Sequence, residues 1–284
     1  MTADNWPDFN DLWDHDDPAG TETKFRQLLP DASKTADLSY HLQLLTQIAR
    51  ALGLQKKFDE AHATLDEVEA AMAAGSLVEV RCMLERGRVF NSAKQPEEAV
   101  PLFHKAVEIG QAIGADFYVV DALHMLGIAA PPAERLDWNL KAIAFTEQSS
   151  QARARNWLGS LYNNTAWTHF DEECYDEALD LFEKALIFRQ EQGKQAEIDI
   201  ARWCVAKTLR VMGRVDEALV IQRALESKGN DDGFTEEEIA ECLYALGEVD
   251  AARPYFQTAY KTLSQIDWVA EDTTRIERLR ILSQ

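Results

Sequence analysis

The amino-acid sequence predicts an all-α fold, a solenoid of antiparallel helix hairpins, from three observations. A phrase centred on alanine recurs along the chain. A second small residue stands about a dozen positions ahead of each copy, and the glycines fall at predicted helix ends and crossings instead of clustering.

The phrase is an aromatic or apolar residue, two mostly polar residues, then Ala, with two further interior positions spaced by about one helical turn each. Its copies are Phe58-Asp59-Glu60-Ala61 with Leu65 and Val68, Pro96-Glu97-Glu98-Ala99 with Phe103 and Ala106, and Tyr175-Asp176-Glu177-Ala178 with Phe182 and Ala185. Two more are Val215-Asp216-Glu217-Ala218 with Gln222 and Leu225, and Val249-Asp250-Ala251-Ala252 with Phe256 and Ala259. The small residues ahead of them are Ala49, Gly87, Ala166, Ala206 and Ala240, each near apolar neighbours such as Ile48, Phe90, Tyr162, Val205 and Ile239. Two antiparallel helices joined by a tight turn pack at roughly 8–10 Å only where small side chains stand at the closest approach. The alanines and glycines therefore mark helix crossings.

Taken in order, residues 1–36 form an N-terminal segment in which 9–13 and 18–29 read as a degenerate opening hairpin, with Pro18 suited to a first helical turn. Residues 37–266 hold about six tandem repeats, one of them degenerate near 117–150. There His124-Met125-Leu126-Gly127 supplies the first helix, and Pro131-Pro132 must end it, because proline lacks a donor and clashes with the preceding turn. The second helix is predicted over 133–148, with Asn139 standing where Ala is usual. Residues 267–284 complete the array as a polar-faced capping helix over 268–282, since an uncapped repeat would leave an apolar face in water.

These residues resemble the tetratricopeptide repeat, whose helix-turn-helix unit carries W-x2-L-G-x2-Y followed by Ala, Phe, Ala and Pro. The resemblance spans residues 40–263. The steps Ala61 to Ala99 and Ala178 to Ala218, with the doubled gap Ala99 to Ala178, give a period of roughly 40, longer than the ~34 of the standard unit. Only the step from Ala218 to Ala252 has the standard length. Longer helices of this kind look like those of kinesin light chains and of bacterial peptide-sensing regulators. The resemblance implies a right-handed superhelical α-solenoid of antiparallel helix hairpins, whose first helices line a concave face and whose second helices form the convex one.

A formal net charge of −20, from 29 Lys and Arg against 49 Asp and Glu, makes the field of the protein repel phosphate polymers and anionic lipid. Neither nucleic acid nor membrane is expected as a partner. Hydrophobic and charged fractions of 46% and 27% are those of an ordered globular chain. Cys82, Cys174, Cys204 and Cys242 lie far apart without metal-ligand spacing, which fits a reducing compartment. Residues 1–17 are acidic and aromatic where a signal peptide would be basic and then apolar, so a cytoplasmic location is expected.

The groove-facing positions implied by the resemblance are Gln43, Thr46, Gln47 and Arg50, then Arg81, Leu84, Glu85, Arg88 and Asn91, then Asp121, His124 and Ile128. Later repeats give Asn163, Asn164, Trp167 and Phe170, then Trp203, Lys207 and Arg210, then Glu237, Glu241 and Tyr244. Arg50, Arg81, Arg88, Lys207 and Arg210 stand out in so acidic a protein, with Trp167, Phe170 and Trp203 among them. With Asn91, His124, Asn163 and Asn164, they make up the expected peptide-binding set: guanidinium groups would pair carboxylates of an acidic or amphipathic segment and the aromatics would anchor its apolar side chains. The alternative is that the cations pair with acids of neighbouring helices such as Glu85, Asp121, Asp171 or Asp199. Asn163 and Asn164 hold the place where the family keeps an asparagine for a peptide backbone, or they bond an adjacent turn. The family's carboxylate clamp is not reproduced, because His124, Ile128, Ile200 and Cys204 stand where its flanking cations and amide would be.

No phosphate-cradling glycine string or HExxH motif occurs, and no catalytic residue, cofactor or metal is assigned. Asp14-His15-Asp16-Asp17 lacks the Gly and terminal Glu of a calcium loop and reads as a solvated acidic turn. Beside Cys174, Glu172 and Glu173 oppose a thiolate, so a pair with His169 is read as inert. The sequence thus points to a non-enzymatic interaction module for a protein or peptide partner. A homo-oligomer assembled through Trp138, Trp157 or the ends of the array is the alternative, and an enzyme with a site near Pro131-Pro132 the third reading.

Overall fold

The repeat alanines are the points where paired helices touch. Ala49, Ala61, Ala99, Ala166, Ala178, Ala206, Ala218, Ala240 and Ala252 are all buried. Gly87 marks a close crossing of the same kind: a Cβ added to it would stand 2.5 Å from Cε1 of Phe103, a ring that is itself fully buried. The aromatic residue of one helix fills the space that a side chain on the other would need.

The computed structural model describes residues 6–34, 38–229 and 232–284, and among them every regular element is a helix. They fall into two compact units, Met1–Trp157 and Leu158–Gln284. The first contains α1 (Phe9–Leu12), α2 (Pro18–Ala32), α3 (Ser39–Leu54), α4 (Phe58–Ala71), α5 (Leu77–Ser92), α6 (Pro96–Ala112), α7 (Asp116–Ala129), α8 (Pro132–Gln148) and α9 (Ala152–Arg155). The second contains α10 (Leu158–Asp171), α11 (Tyr175–Gln192), α12 (Gln195–Val211), α13 (Val215–Glu226), α14 (Phe234–Ala245), α15 (Val249–Leu263), α16 (Asp267–Ala270) and α17 (Thr273–Leu282). From α3 to α8 and from α10 to α15 each helix packs on the next, as a solenoid of hairpins requires.

One turn geometry closes the regular hairpins. Lys56, Lys94, Glu173, Gly213 and Gly247 all adopt positive φ, between 61° and 83°. The following N–H then reaches back to a carbonyl near the end of the first helix: Lys57 to Leu52 at 3.0 Å, and Gln95 to Phe90, Cys174 to His169, Arg214 to Leu209 and Glu248 to Leu243 each at 2.9 Å. These bonds satisfy carbonyls that the helix end leaves without partners. The α7–α8 connection cannot copy them, because Pro131 has no N–H to donate. Here the small residue at the crossing has changed helix: a Cβ on Gly127 would meet Oδ1 of Asn139 at 2.1 Å, so glycine on α7 makes room for the asparagine on α8.

Three expectations are corrected in detail. The second helix of the degenerate repeat begins at Pro132, which serves as its first residue. The short helix α9 was not anticipated. The capping helix expected over 268–282 is broken, because the Asp272 side chain accepts from the N–H of Arg275 at 3.0 Å and starts a new helix there. Val269 and Leu279 from the two pieces close a core with Ile239, Phe256 and Leu263. The opening hairpin is present as α1 and α2, capped by Asp8 and Asp17, and its expected boundary at residues 36 and 37 lies outside the described residues, as do residues 1–5.

Overpacking a crossing tests the register. Ala178→Leu inserts a branched side chain where none is accommodated and is expected to cost about 1–3 kcal/mol in urea unfolding. A neutral result would show that α10 and α11 do not cross there.

Candidate functional site

In each unit the first helices of successive hairpins share one face. In the first unit that face is built by Tyr40, Gln43, Gln47 and Arg50 of α3, Arg81 and Glu85 of α5, and Phe117, Tyr118 and Asp121 of α7. It borders a cavity of about 680 Å³, and the opposite wall is the chain's own segment from Trp6 to His15. Nε1 of Trp13 donates to Oε1 of Gln47 at 2.8 Å, and the Tyr40 hydroxyl donates to the carbonyl of Pro7 at 3.1 Å. Arg50 lies 5.3 Å above the Trp13 ring and Arg81 4.7 Å above that of Phe9.

Most cations of this face are neutralised from within. Glu85, nearly fully buried, takes Arg88 at 2.9 Å and Arg50 at 3.9 Å, and Arg88 also grips Asp121. Burial alone would raise the Asp121 carboxyl, but Arg88 and Arg50 outweigh it and hold it below the usual carboxylate range. Burial likewise disfavours the Arg88 cation, and the two carboxylates more than reverse that. Arg81 is the exception. It is 6% exposed, its guanidinium bonds only the neutral oxygens of Gln43 at 3.1 Å and Tyr118 at 2.9 Å, and its Nε is buried without a hydrogen-bond partner. Among the described residues no carboxylate lies within ion-pair distance of it.

The second unit offers a different surface. A trough of about 560 Å³ is walled by Trp167, Ile200, Trp203, Leu225, Phe234 and Trp268, with Lys207 and Arg275 at its rim. Nε1 of Trp203 donates to the carbonyl of Phe234 at 3.2 Å, and Phe234 stacks on Trp268 with centroids 5.8 Å apart. Ile200 is 61% and Trp268 65% exposed, so large apolar groups face solvent here. Beneath the rim, the fully buried carboxylate of Glu238 accepts from Lys207 and from Nε of Arg210, both at 2.7 Å. Burial pushes that carboxyl up, and the two cations pull it back below its ordinary value. Arg275 pairs with Glu237 and Arg278 with Glu241.

The expected binding set is therefore distributed. Arg50 and Arg81 reach the first cavity, while Arg50, Arg88 and Asn91 border a smaller one of about 140 Å³. His124 lies against Trp157, ring centroids 5.4 Å apart, and Trp157 also touches Phe117. Trp167, Trp203 and Lys207 line the trough, and Phe170 packs beside it on Trp167 and Tyr175. Asn163 and Asn164 border a separate space of about 200 Å³ and bond each other at 3.3 Å, while Arg210 stays with Glu238. Of the further groove positions, Thr46 and Leu84 point into the core. Asp199 pairs with Lys228 and Arg202, not with a groove cation. The sequence reading missed Tyr40, Tyr118, Ile200, Phe234, Trp268 and Arg275 as lining residues. Ile200, named only as an apolar departure at a clamp position, was the one visible signal.

A family model described as Tetratrico peptide repeat matches residues 168–278. RapI in its apo form superposes with a TM-score of 0.71 at 13% identity, covering 91% of this chain and 76% of that one. A signal transduction ATPase with numerous domains and a tetratricopeptide repeat sensor, from Pyrococcus horikoshii, gives 0.72 at 14% identity over 93% of this chain and 42% of that one. The chain has a fold of the tetratricopeptide-repeat type. Aspartyl phosphate phosphatase F from Bacillus subtilis is also similar, with a TM-score of 0.56 at 17% identity over 89% and 68% of the two chains. At these identities the likeness is one of fold alone. No curated protein matches in sequence.

One turn gathers possible ligands. His169, Glu172 and Cys174 each bring one ligand atom within 4.8 Å of the others, at the α10–α11 connection. Cys174 Sγ donates to the Glu172 carbonyl at 3.7 Å, Glu172 and Cys174 are exposed, and the group is assigned no role. Among the described residues no helix is long and apolar enough to cross a membrane.

Two measurements test the electrostatics of these tetratricopeptide faces. Glu238→Gln leaves Lys207 and Arg210 facing a neutral amide in a buried site and is expected to lower stability by about 3–5 kcal/mol in urea unfolding. His124 tests the pH dependence: burial holds its pKa below the ordinary 6.5, Asp121 opposes this and Arg88 adds to it. The unfolded chain therefore binds more protons near and below pH 6.5, so this contribution is present above that pH and lost as pH falls through it. The melting temperature should fall between about pH 7.5 and 5.5, and His124→Gln should flatten that fall.

Proposed function

We propose that the protein is a non-enzymatic recognition module that captures an amphipathic segment of a partner protein on the face of its second unit. The observation that carries this reading is the open trough around Trp203, where Ile200 and Trp268 present apolar surface to water beside paired charges. Soluble proteins rarely leave aromatic and aliphatic groups exposed together without a binding role. The charges favour an amphipathic over a purely acidic segment, because Arg275 already has Glu237. Lys207 and Arg210 share the single carboxylate of Glu238, which leaves one positive charge to meet an acidic side chain of the partner. The sensor role of the similar repeats in the Pyrococcus horikoshii protein supports recognition as the general activity.

Ile200→Glu places a charge on this surface at an exposed position, so the fold is kept. With the wild-type and variant chains immobilised in parallel, proteins retained from host lysate are compared by mass spectrometry. A set retained by the wild type and lost by the variant, at unchanged helix content and melting temperature, is the expected result. Retention of the same set by both would remove the trough from the reading.

A further inference from the structure

The first unit already holds a peptide on its corresponding face, and that peptide is its own. We propose that segment 6–17 is a displaceable occupant, and that the face accepts in its place an acidic peptide whose aromatic side chains repeat the resident contacts and which brings a carboxylate to Arg81. This deepens the reading of a recognition module by naming a ligand chemistry for the other unit, and its test uses residues that play no part in the trough.

The chemistry of the segment matches the face. It carries Asp8, Asp11, Asp14, Asp16 and Asp17 with no Lys or Arg, and it meets Arg50, Arg81 and Arg153. Its attachment relies on rings and single polar bonds, since α1 is only one turn long and cannot pack as a repeat helix does. Trp6 and Phe9 both stack on Tyr40, with centroids 4.6 and 4.8 Å apart, and the Phe9 ring also meets Phe25 edge-on. A replacement must therefore bring aromatic groups spaced like Phe9 and Trp13, because the ring of Phe25 is fully buried under the resident.

The resident is nevertheless an imperfect ligand. Asp8 reaches Arg153 at 3.7 Å, but the buried Arg81 receives a ring face and neutral oxygens, with its Nε unbonded. Buried guanidinium groups are ordinarily matched by carboxylates, often through two parallel bonds. The cavity of about 680 Å³ between the segment and α3, α5 and α7 leaves space for the missing group. A competing peptide gains that bond. The resident has the advantage of being tethered, equivalent to a local concentration on the order of millimolar, so the face opens only to a peptide that makes the better set of contacts.

The test uses the full chain and a fluorescein-labelled peptide with the sequence of residues 6–17, followed by fluorescence polarisation. Phe9→Ala with Trp13→Ala loosens the resident while leaving the face intact. The probe should bind this double variant at least about 10-fold tighter than the wild type, a difference of roughly 1.4 kcal/mol, and added Arg81→Met, which removes the cation beneath the probe's Phe9 ring, should reduce the gain. Equal binding to both chains, or binding to neither, would overturn the proposal and make the segment a fixed part of the fold. If the double variant loses helix content, the wild type decides the matter through hydrogen exchange. Unlabelled peptide, added well above the roughly millimolar local concentration of the tethered resident, should then remove protection from residues 6–17, and unchanged exchange there overturns displacement.

Discussion

Two helices can approach to about 8–10 Å only where neither carries a bulky side chain at the crossing. In this chain that place belongs to Ala61, Ala99, Ala178, Ala218 and Ala252 on the second helices and to their small partners on the first, all of them buried. The consequence reaches well past packing. With each hairpin pinned at one point and the regular ones closed by a left-handed residue such as Lys56 or Glu173, the first helices of successive hairpins are set side by side. Residues one repeat apart then stand within side-chain reach of each other. Tyr40, Arg81 and Tyr118 form one such series, and Trp167, Trp203 and Phe234 another.

The same stacking explains why an acidic protein keeps its arginines on those faces. A carboxylate such as Glu238 or Asp121, enclosed between neighbouring first helices, is tolerable only with cations at hydrogen-bond distance. Lys207 and Arg210 reach Glu238 from the preceding hairpin, and Arg88 reaches Asp121 from the hairpin before it. Cations on a groove-facing helix are thus first a requirement of stacking. Their presence there does not by itself signal a ligand, whereas a buried cation lacking such a carboxylate, as Arg81 does, cannot be explained by stacking alone.

This is also where the sequence stops being legible. The period of the alanine phrase exposes the hairpins because every repeat must solve the same crossing problem, so the solution is written repeatedly. Even the departure at Asn139 could be read from Gly127 on the partner helix. Pairing is written once per site and leaves no period: nothing in the order of residues distinguishes Arg88, held by two acids, from Arg81, held by none among the described residues. The walls of the trough were missed for a related reason. Phe234 is the first residue of its helix and Trp268 belongs to a short helix beyond the last full hairpin, so neither falls at the mid-helix positions from which groove residues were inferred.

The two faces end up chemically opposite although one construction rule produced both. On the first, aromatic residues from segment 6–17 cover Tyr40 and Phe25, and what remains accessible is a polar cavity with a buried guanidinium. On the second, the residues after the last hairpin supply Trp268 and Arg275, which extend the apolar wall and leave it open. In both cases the elements flanking the regular repeats determine the character of the surface, while the repeats supply its geometry. Irregular flanks can vary without disturbing any helix crossing, so specificity can be altered there at little cost to the packing of the array.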